Sequence, residues 1–170
     1  GGFYFTGEHH ENLIVRDKDQ VDNATPSGNS LAIGALSRLS LLCGRTDYRD
    51  RVDRALRSFY TRMRQMPQGM AEMLQGLAFH LGEPVEAVLV EPEGGDIAAL
   101  EEVLRGNYVP HSVRLRVGLS ERPLEQWADL MPSVAGREPI DQEPTAYICR
   151  GGTCRQPTTD ADEMAVQLQP

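Results

Sequence analysis

Met70-Ala71-Glu72-Met73-Leu74-Gln75-Gly76-Leu77-Ala78-Phe79-His80-Leu81, then Gly82-Glu83-Pro84, then Val85-Glu86-Ala87-Val88-Leu89-Val90, is the stretch on which the fold turns. Before Gly82 the apolar residues Met70, Met73, Leu74, Leu77, Ala78 and Leu81 recur at helical spacing. Gly82 and Pro84 stop that helix, since neither sustains the intrahelical hydrogen-bond ladder well. After Pro84 the apolar residues run almost unbroken, as in a short strand buried on both faces. The period therefore changes at residue 85, and the chain divides into a helical part over 1–84 and a small α/β part over 85–170.

Upstream, the spacing predicts a helix over 47–66. Tyr48, Val52, Leu56, Phe59, Tyr60 and Met63 form its apolar face, and Arg49, Asp50, Asp53, Arg54 and Arg57 its wet one. An earlier helix over 30–43 is apolar nearly all round, with Arg38 its single charge, and is expected to be buried on most sides. Residues 1–30 read as a long packed loop in which Phe3–Thr6 and Leu13–Val15 are candidate strands. Downstream, Asp96 is placed to cap a helix over 97–105. Val113, Leu115 and Val117 alternate with Arg114 and Arg116, as in a half-exposed strand. Strand, helix, strand reads as a right-handed parallel crossover. Residues 120–144 look irregular, with Trp127 on one helical turn. A last strand over 145–149 passes through Gly151-Gly152 to a helix over 161–168, capped by Thr159 or Asp160.

The 170 residues carry a net charge of −8, and that balance argues against nucleic acid or an anionic membrane as partner. The charge is uneven: +2 over residues 1–68 and −10 over 69–170. No apolar run reaches the ~18 residues of a membrane-spanning helix, and no leader is visible, so the expected setting is cytoplasmic. The chain opens on Gly1-Gly2-Phe3-Tyr4-Phe5 without Met, which reads as a cut in a longer protein.

Two groups of residues carry candidate chemistry. The first is the polar set of the opening loop. Glu8 or His10 would transfer a proton, with Asp22 as orienting or second carboxylate. Phe3, Arg16, Lys18, Ser27 and Asn29 would contact a small-molecule substrate such as a sugar. The competing assignment is that these residues cap turns and helix ends, for which Ser27 and Asn29 are well suited. The second group is Cys149-Arg150-Gly151-Gly152-Thr153-Cys154, whose Gly-Gly turn would let the two thiols close a small disulfide. Against this, three cysteines in a chain of intracellular composition are expected to stay reduced. His9, His10, His80, His111 and the cysteines form no metal-ligand pattern, so neither metal nor cofactor is expected. Gly94-Gly95 follows a strand and precedes a helix, but Glu91, Glu93 and Asp96 would repel a phosphate there.

Gly1-Gly2-Phe3-Tyr4-Phe5-Thr6, Asp22-Asn23-Ala24-Thr25-Pro26-Ser27-Gly28-Asn29-Ser30, Ala146-Tyr147-Ile148-Cys149 and Cys154-Arg155-Gln156-Pro157 together resemble the YyaL-like, thioredoxin-domain-containing family, which includes a vertebrate spermatogenesis-associated member. The resemblance implies a much longer protein. Its members begin with a thioredoxin-like domain carrying a Cys pair and continue into an α/α toroid similar to six-hairpin glycosidases and sugar 2-epimerases. This chain would then be the C-terminal part: the last toroid hairpins over 1–84 and a parallel β-α-β appendage over 85–170. It would contact the N-terminal thioredoxin-like and toroid parts, and Glu8, Asp22, Ser27 and Asn29 would lie near the toroid mouth. Three functional readings follow: a glycosidase- or epimerase-like or sugar-binding toroid, a thiol–disulfide accessory using Cys149 and Cys154, and a structural or interaction module without chemistry of its own.

Overall fold

Ser27 begins the first helix. Its hydroxyl accepts the Ser30 amide at 3.1 Å, the N-cap geometry that satisfies an otherwise orphaned donor. A computed structural model describes residues 1–7, 9 and 14–169 of the chain, which form two units, Gly1–Gly82 and Glu83–Pro170.

The first unit holds α1 (Gly28–Leu42), α2 (Thr46–Gln65) and α3 (Ala71–Leu81), with a single 3-10 turn at Pro67–Met70. α2 buries Val52, Ala55, Leu56, Phe59 and Met63 and leaves its arginine face in water. These residues pack with Ile33 of α1 and with Met70 and Met73 around α3. α1 differs from the expectation. Its buried face is made of Asn29, Ser30, Ile33, Gly34 and Ser37, while Leu31 and Leu39 are 52% and 41% exposed. The cause is a close approach to α3: a Cβ on Gly76 would stand 2.8 Å from Ile33 Cγ2 and 3.5 Å from the Gly34 amide nitrogen. Small residues bring the two backbones together, and the leucines are turned outward. Asp53, on the wet face of α2, reaches α3: its carboxylate accepts a hydrogen bond from Nε2 of His80, whose side chain is 6% exposed, at 3.0 Å. Phe3–Thr6 forms no strand; Phe5 N–H donates to the Asp17 carbonyl, and Phe5, Ile14 and Val15 are exposed. Leu13, the first residue of the other strand candidate, lies outside the described residues.

The second unit is built on β1 (Val85–Glu91), α4 (Ala98–Gly106), β2 (Ser112–Gly118), α5 (Leu124–Leu130), β3 (Thr145–Arg150), β4 (Thr153–Cys154) and α6 (Ala161–Gln167). The sheet order is β2-β1-β3-β4. β1 and β2 are parallel, joined through α4, and β3 runs antiparallel on the other side of β1. β1 is thus central and covered on both faces. Val85, Ala87 and Leu89 pack with Leu100, Leu104 and Met164. Val88 and Val90 pack with Val117 and Val134, and with the half-buried Trp127. A strand so placed must be apolar at nearly every position, which explains the run from Val85. α4 starts one residue later than expected, so Ile97 and not Asp96 is its N-cap; the Asp96 carboxylate, one residue further out, accepts the Ala98 amide at 3.0 Å. Asp160 caps α6 through the Glu163 amide at 2.8 Å. Residues 120–144 are more ordered than expected, because Trp127 anchors α5 by donating Nε1–H to the Gly118 carbonyl at 3.2 Å.

Candidate functional site

The opening segment is tied to the first unit by two side chains. The Asn29 amide accepts the Phe3 N–H at 2.7 Å and donates to the carbonyls of Phe3 (2.9 Å) and Asp19 (2.6 Å). The Asp22 carboxylate accepts the Ser27 amide at 2.9 Å with one oxygen and the Glu72 amide at 2.9 Å with the other. It therefore joins the starts of α1 and α3. Burial pushes the Asp22 pKa up, but the amides of Ser27 and Glu72 and the Ser30 hydroxyl outweigh it and hold the carboxyl below its ordinary value of 3.8. Ser27 is buried, and its hydroxyl is shared between the Ser30 amide and the Ser30 hydroxyl.

Of the residues singled out in this loop, then, Asp22, Ser27 and Asn29 use their polar atoms on the scaffold. Phe3 is half-buried beside Asn29, and Arg16 and Lys18 both face the Tyr4 ring, with cation-to-centroid distances of 4.2 and 4.5 Å. Glu8 and His10 lie outside the described residues. Among the described residues, no cluster of three or more His, Cys, Asp or Glu is arranged to hold a metal ion.

The cysteine pair stands differently. Cys149 and Cys154 face each other across the β3–β4 hairpin and are joined as a disulfide, with Cα atoms 3.9 Å apart. The hairpin closes on Gly151 and Gly152, with φ of +56° and +80°, the two successive left-handed positions of a type I′ turn. Pairing overrides the expectation of reduced thiols because this tight turn holds the two residues in direct register. Cys149 is buried at 2% exposure, whereas Cys154 is exposed. Cys43 is a free, half-buried thiol in the first unit.

Arg137 completes the arrangement. Its Nη2 donates to Cys149 Sγ at 3.3 Å and lies 4.0 Å from Cys154 Sγ. Among the described residues its buried Nη1 has no hydrogen-bond partner, and its guanidinium stands 5.7 Å from the Tyr147 ring centroid. The strand register sets Glu86 of β1 directly beside Cys149. Burial raises the Glu86 carboxyl pKa, and the Arg137 charge works against that rise. Burial likewise lowers the Arg137 pKa, with Glu86 and Tyr147 opposing. The Tyr147 hydroxyl donates to the Glu138 carbonyl at 2.6 Å; burial raises its pKa. A guanidinium against two sulfurs, one buried and one open, favours whichever sulfur carries negative charge. Sequence reasoning found the cysteines but missed Arg137 and Glu86. Glu86 had a visible signal, as the one charge inside the apolar run Val85–Val90. Arg137 had none, since it lies 12 residues before Cys149, in the irregular chain that precedes β3.

No family model matches the chain, and no solved structure matches it. Curated proteins do. The chain is 29% identical over 173 aligned residues to spermatogenesis-associated protein 20 of Homo sapiens, covering 100% of this chain and 22% of that protein. The Rattus norvegicus protein of the same name is 29% identical over 167 residues, covering 96% of this chain and 21% of that one. An uncharacterized protein of Caenorhabditis elegans is 20% identical over 166 residues, covering 96% and 22% respectively. The chain is thus similar along its whole length to spermatogenesis-associated protein 20, and it spans about a fifth of the length of these curated relatives.

Proposed function

We propose that the second unit is a thiol–disulfide exchange module acting through Cys149 and Cys154. The observation that carries this reading is the Arg137 guanidinium held 3.3 Å from the buried sulfur of a pair whose other member is exposed. A thiolate of a partner dithiol attacks Cys154 Sγ. The Cys149–Cys154 bond breaks, its electron pair moves to Cys149 Sγ, and Arg137 stabilises that buried thiolate. The partner's second thiolate then attacks its own sulfur in the mixed disulfide and releases Cys154 as a thiolate. Two electrons pass from the partner to the pair. The partner's two thiol protons are lost to water, and the new thiolates take up protons from water as pH dictates.

The wider setting we infer is the C-terminal part of a longer, YyaL-like, thioredoxin-domain-containing protein whose thioredoxin-like domain would be the dithiol partner. The relatives' greater length, of which this chain spans about a fifth, and the four segments on which the resemblance rests support that reading. The exposed Leu31 and Leu39 of α1 suit helices that continue packing in an α/α toroid. A sugar-binding role of the opening loop has less behind it, because Asp22, Ser27 and Asn29 are used in holding the loop.

The test is turnover. Oxidised chain is added to thioredoxin, thioredoxin reductase and NADPH, and NADPH loss is followed. One equivalent is expected to be consumed per chain, with Arg137→Met slowing the reduction about tenfold or more. A pair that thioredoxin leaves oxidised, or a rate indifferent to Arg137, would overturn the proposal.

A further inference from the structure

Four cations of the first unit converge on one cavity edge. Arg16, Arg51 and Arg54 line a cavity of ≈ 380 Å³ with Gly1, Tyr4 and Thr6. Lys18 stands at its margin, donating to the Gly1 carbonyl, with its ammonium 4.5 Å from the Tyr4 ring centroid. Arg16 lies 4.2 Å from the same centroid and donates to the Thr6 carbonyl at 2.7 Å. The wall is fixed to α2: a Cβ on Gly1 would collide with the Arg54 backbone carbonyl, and one on Gly2 with the Phe59 ring. Among the described residues, none of Arg16, Lys18, Arg51 and Arg54 forms an ion pair.

Asp47 feels the Arg51 charge, but its carboxylate is already paired with Arg45 at 2.6 Å. Like charges gathered on one wall repel one another, and a concave wall concentrates their field. This happens in a chain whose net charge is −8. Guanidinium forks match the paired oxygens of phosphate and carboxylate. The cavity volume falls in the ~300–1,000 Å³ range of small-molecule sites and exceeds what a bare oxyanion fills. We infer that this cavity binds a small polar molecule through an oxyanion, a phosphate or a carboxylate, held by Arg16, Arg51 and Arg54. The site is independent of the cysteine pair.

The experiment is titration of the whole chain, by calorimetry and by NMR shifts, with glucose 6-phosphate, glucuronate, inorganic phosphate and neutral glucose. Binding of either anionic sugar near ~1 mM is expected, tighter than inorganic phosphate alone. The anion preferred identifies the source as a phosphate ester or a carboxylic acid. The exposed pair Arg51→Gln/Arg54→Gln should weaken binding about tenfold or more, with circular dichroism unchanged. The pair Arg62→Gln/Arg64→Gln, on the same helix but outside the cavity, should leave it intact. Three results would overturn the inference: no anionic probe binding at ~10 mM, glucose binding as well as its anionic forms, or equal weakening by both arginine pairs.

Discussion

Replacing Arg137 with Met keeps much of the side chain's bulk and removes its charge. In the wild type, Nη2 lies 3.3 Å from Cys149 Sγ, and the thiolate formed there on reduction would be buried. A hydrogen bond to a charged group contributes about 1.5–3 kcal/mol, and one pKa unit corresponds to about 1.4 kcal/mol. Losing the guanidinium should therefore raise the Cys149 pKa by about 1–2 units. The assay is the thiolate ultraviolet absorbance of the reduced chain against pH, in a Cys154→Ser background so that Cys149 is isolated from its neighbour. Cys43 is subtracted with a Cys43→Ser variant. Arg155→Met, next to Cys154 but exposed, is the charge control. A Cys149 pKa unchanged by Arg137→Met, or shifted equally by Arg155→Met, would refute the claim that Arg137 stabilises the thiolate. Near-ultraviolet dichroism of Tyr147 and Trp127 checks that the face above the sheet has kept its packing.

Asp22→Ala should destabilise the first unit by about 2–3 kcal/mol, since the amides of Ser27 and Glu72 lose their acceptor. The folded-state pKa of Asp22 is lowered, so its stabilisation is complete above the unfolded value near 3.8 and is lost as pH falls through the folded value. Urea melts between pH 3 and 7 should show a steeper acid loss in wild type than in the variant; parallel curves would remove the charge from the argument. Asn29→Ala removes three hydrogen bonds to the opening segment and should raise amide exchange at Phe3 well above wild type; unchanged protection there would contradict the tether. Gly152→Val places a β-branched residue at φ +80° and should destabilise the hairpin by about 1–2 kcal/mol or more, read as faster reduction of the Cys149–Cys154 pair. A variant melting and reducing like wild type would show the turn to be more yielding than its φ angles imply.

The helices and the central strand are legible because each depends on local periodicity. The stripe Val52, Leu56, Phe59 and Met63 can sit only on one face of a helix, and α2 runs Thr46–Gln65 against an expectation of 47–66. The run from Val85 reads as buried, and β1 is covered on both sides. What periodicity does not carry is partnership between distant segments. Nothing in Thr145–Arg150 indicates that it lies antiparallel against β1. Nothing in α1 separates its outward leucines from its buried serines until Gly76 of α3 is brought against Ile33. The same limit divides the candidate sites. The Gly-Gly turn brings Cys149 and Cys154 together within six residues, so their closeness was readable, while their bonding ran against the expectation of reduced thiols. Arg137 and Glu86 reach it only through the fold. In the opening loop the capping assignment of Ser27 and the acceptor chemistry of Asp22 were both readable, but their choice of Ser30, Ser27 and Glu72 as partners depends on how α1 and α3 start side by side.

The reduction potential of the Cys149–Cys154 pair tests the central claim most directly. The chain is equilibrated with glutathione and dithiothreitol buffers of set ratio, alkylated, and its free thiols counted by mass. An exposed sulfur and a cation that stabilises the thiolate of its partner favour the reduced form, so the account predicts a potential of about −180 to −270 mV, within reach of cellular dithiols. A value below about −300 mV, in the range of inert structural disulfides, would contradict it.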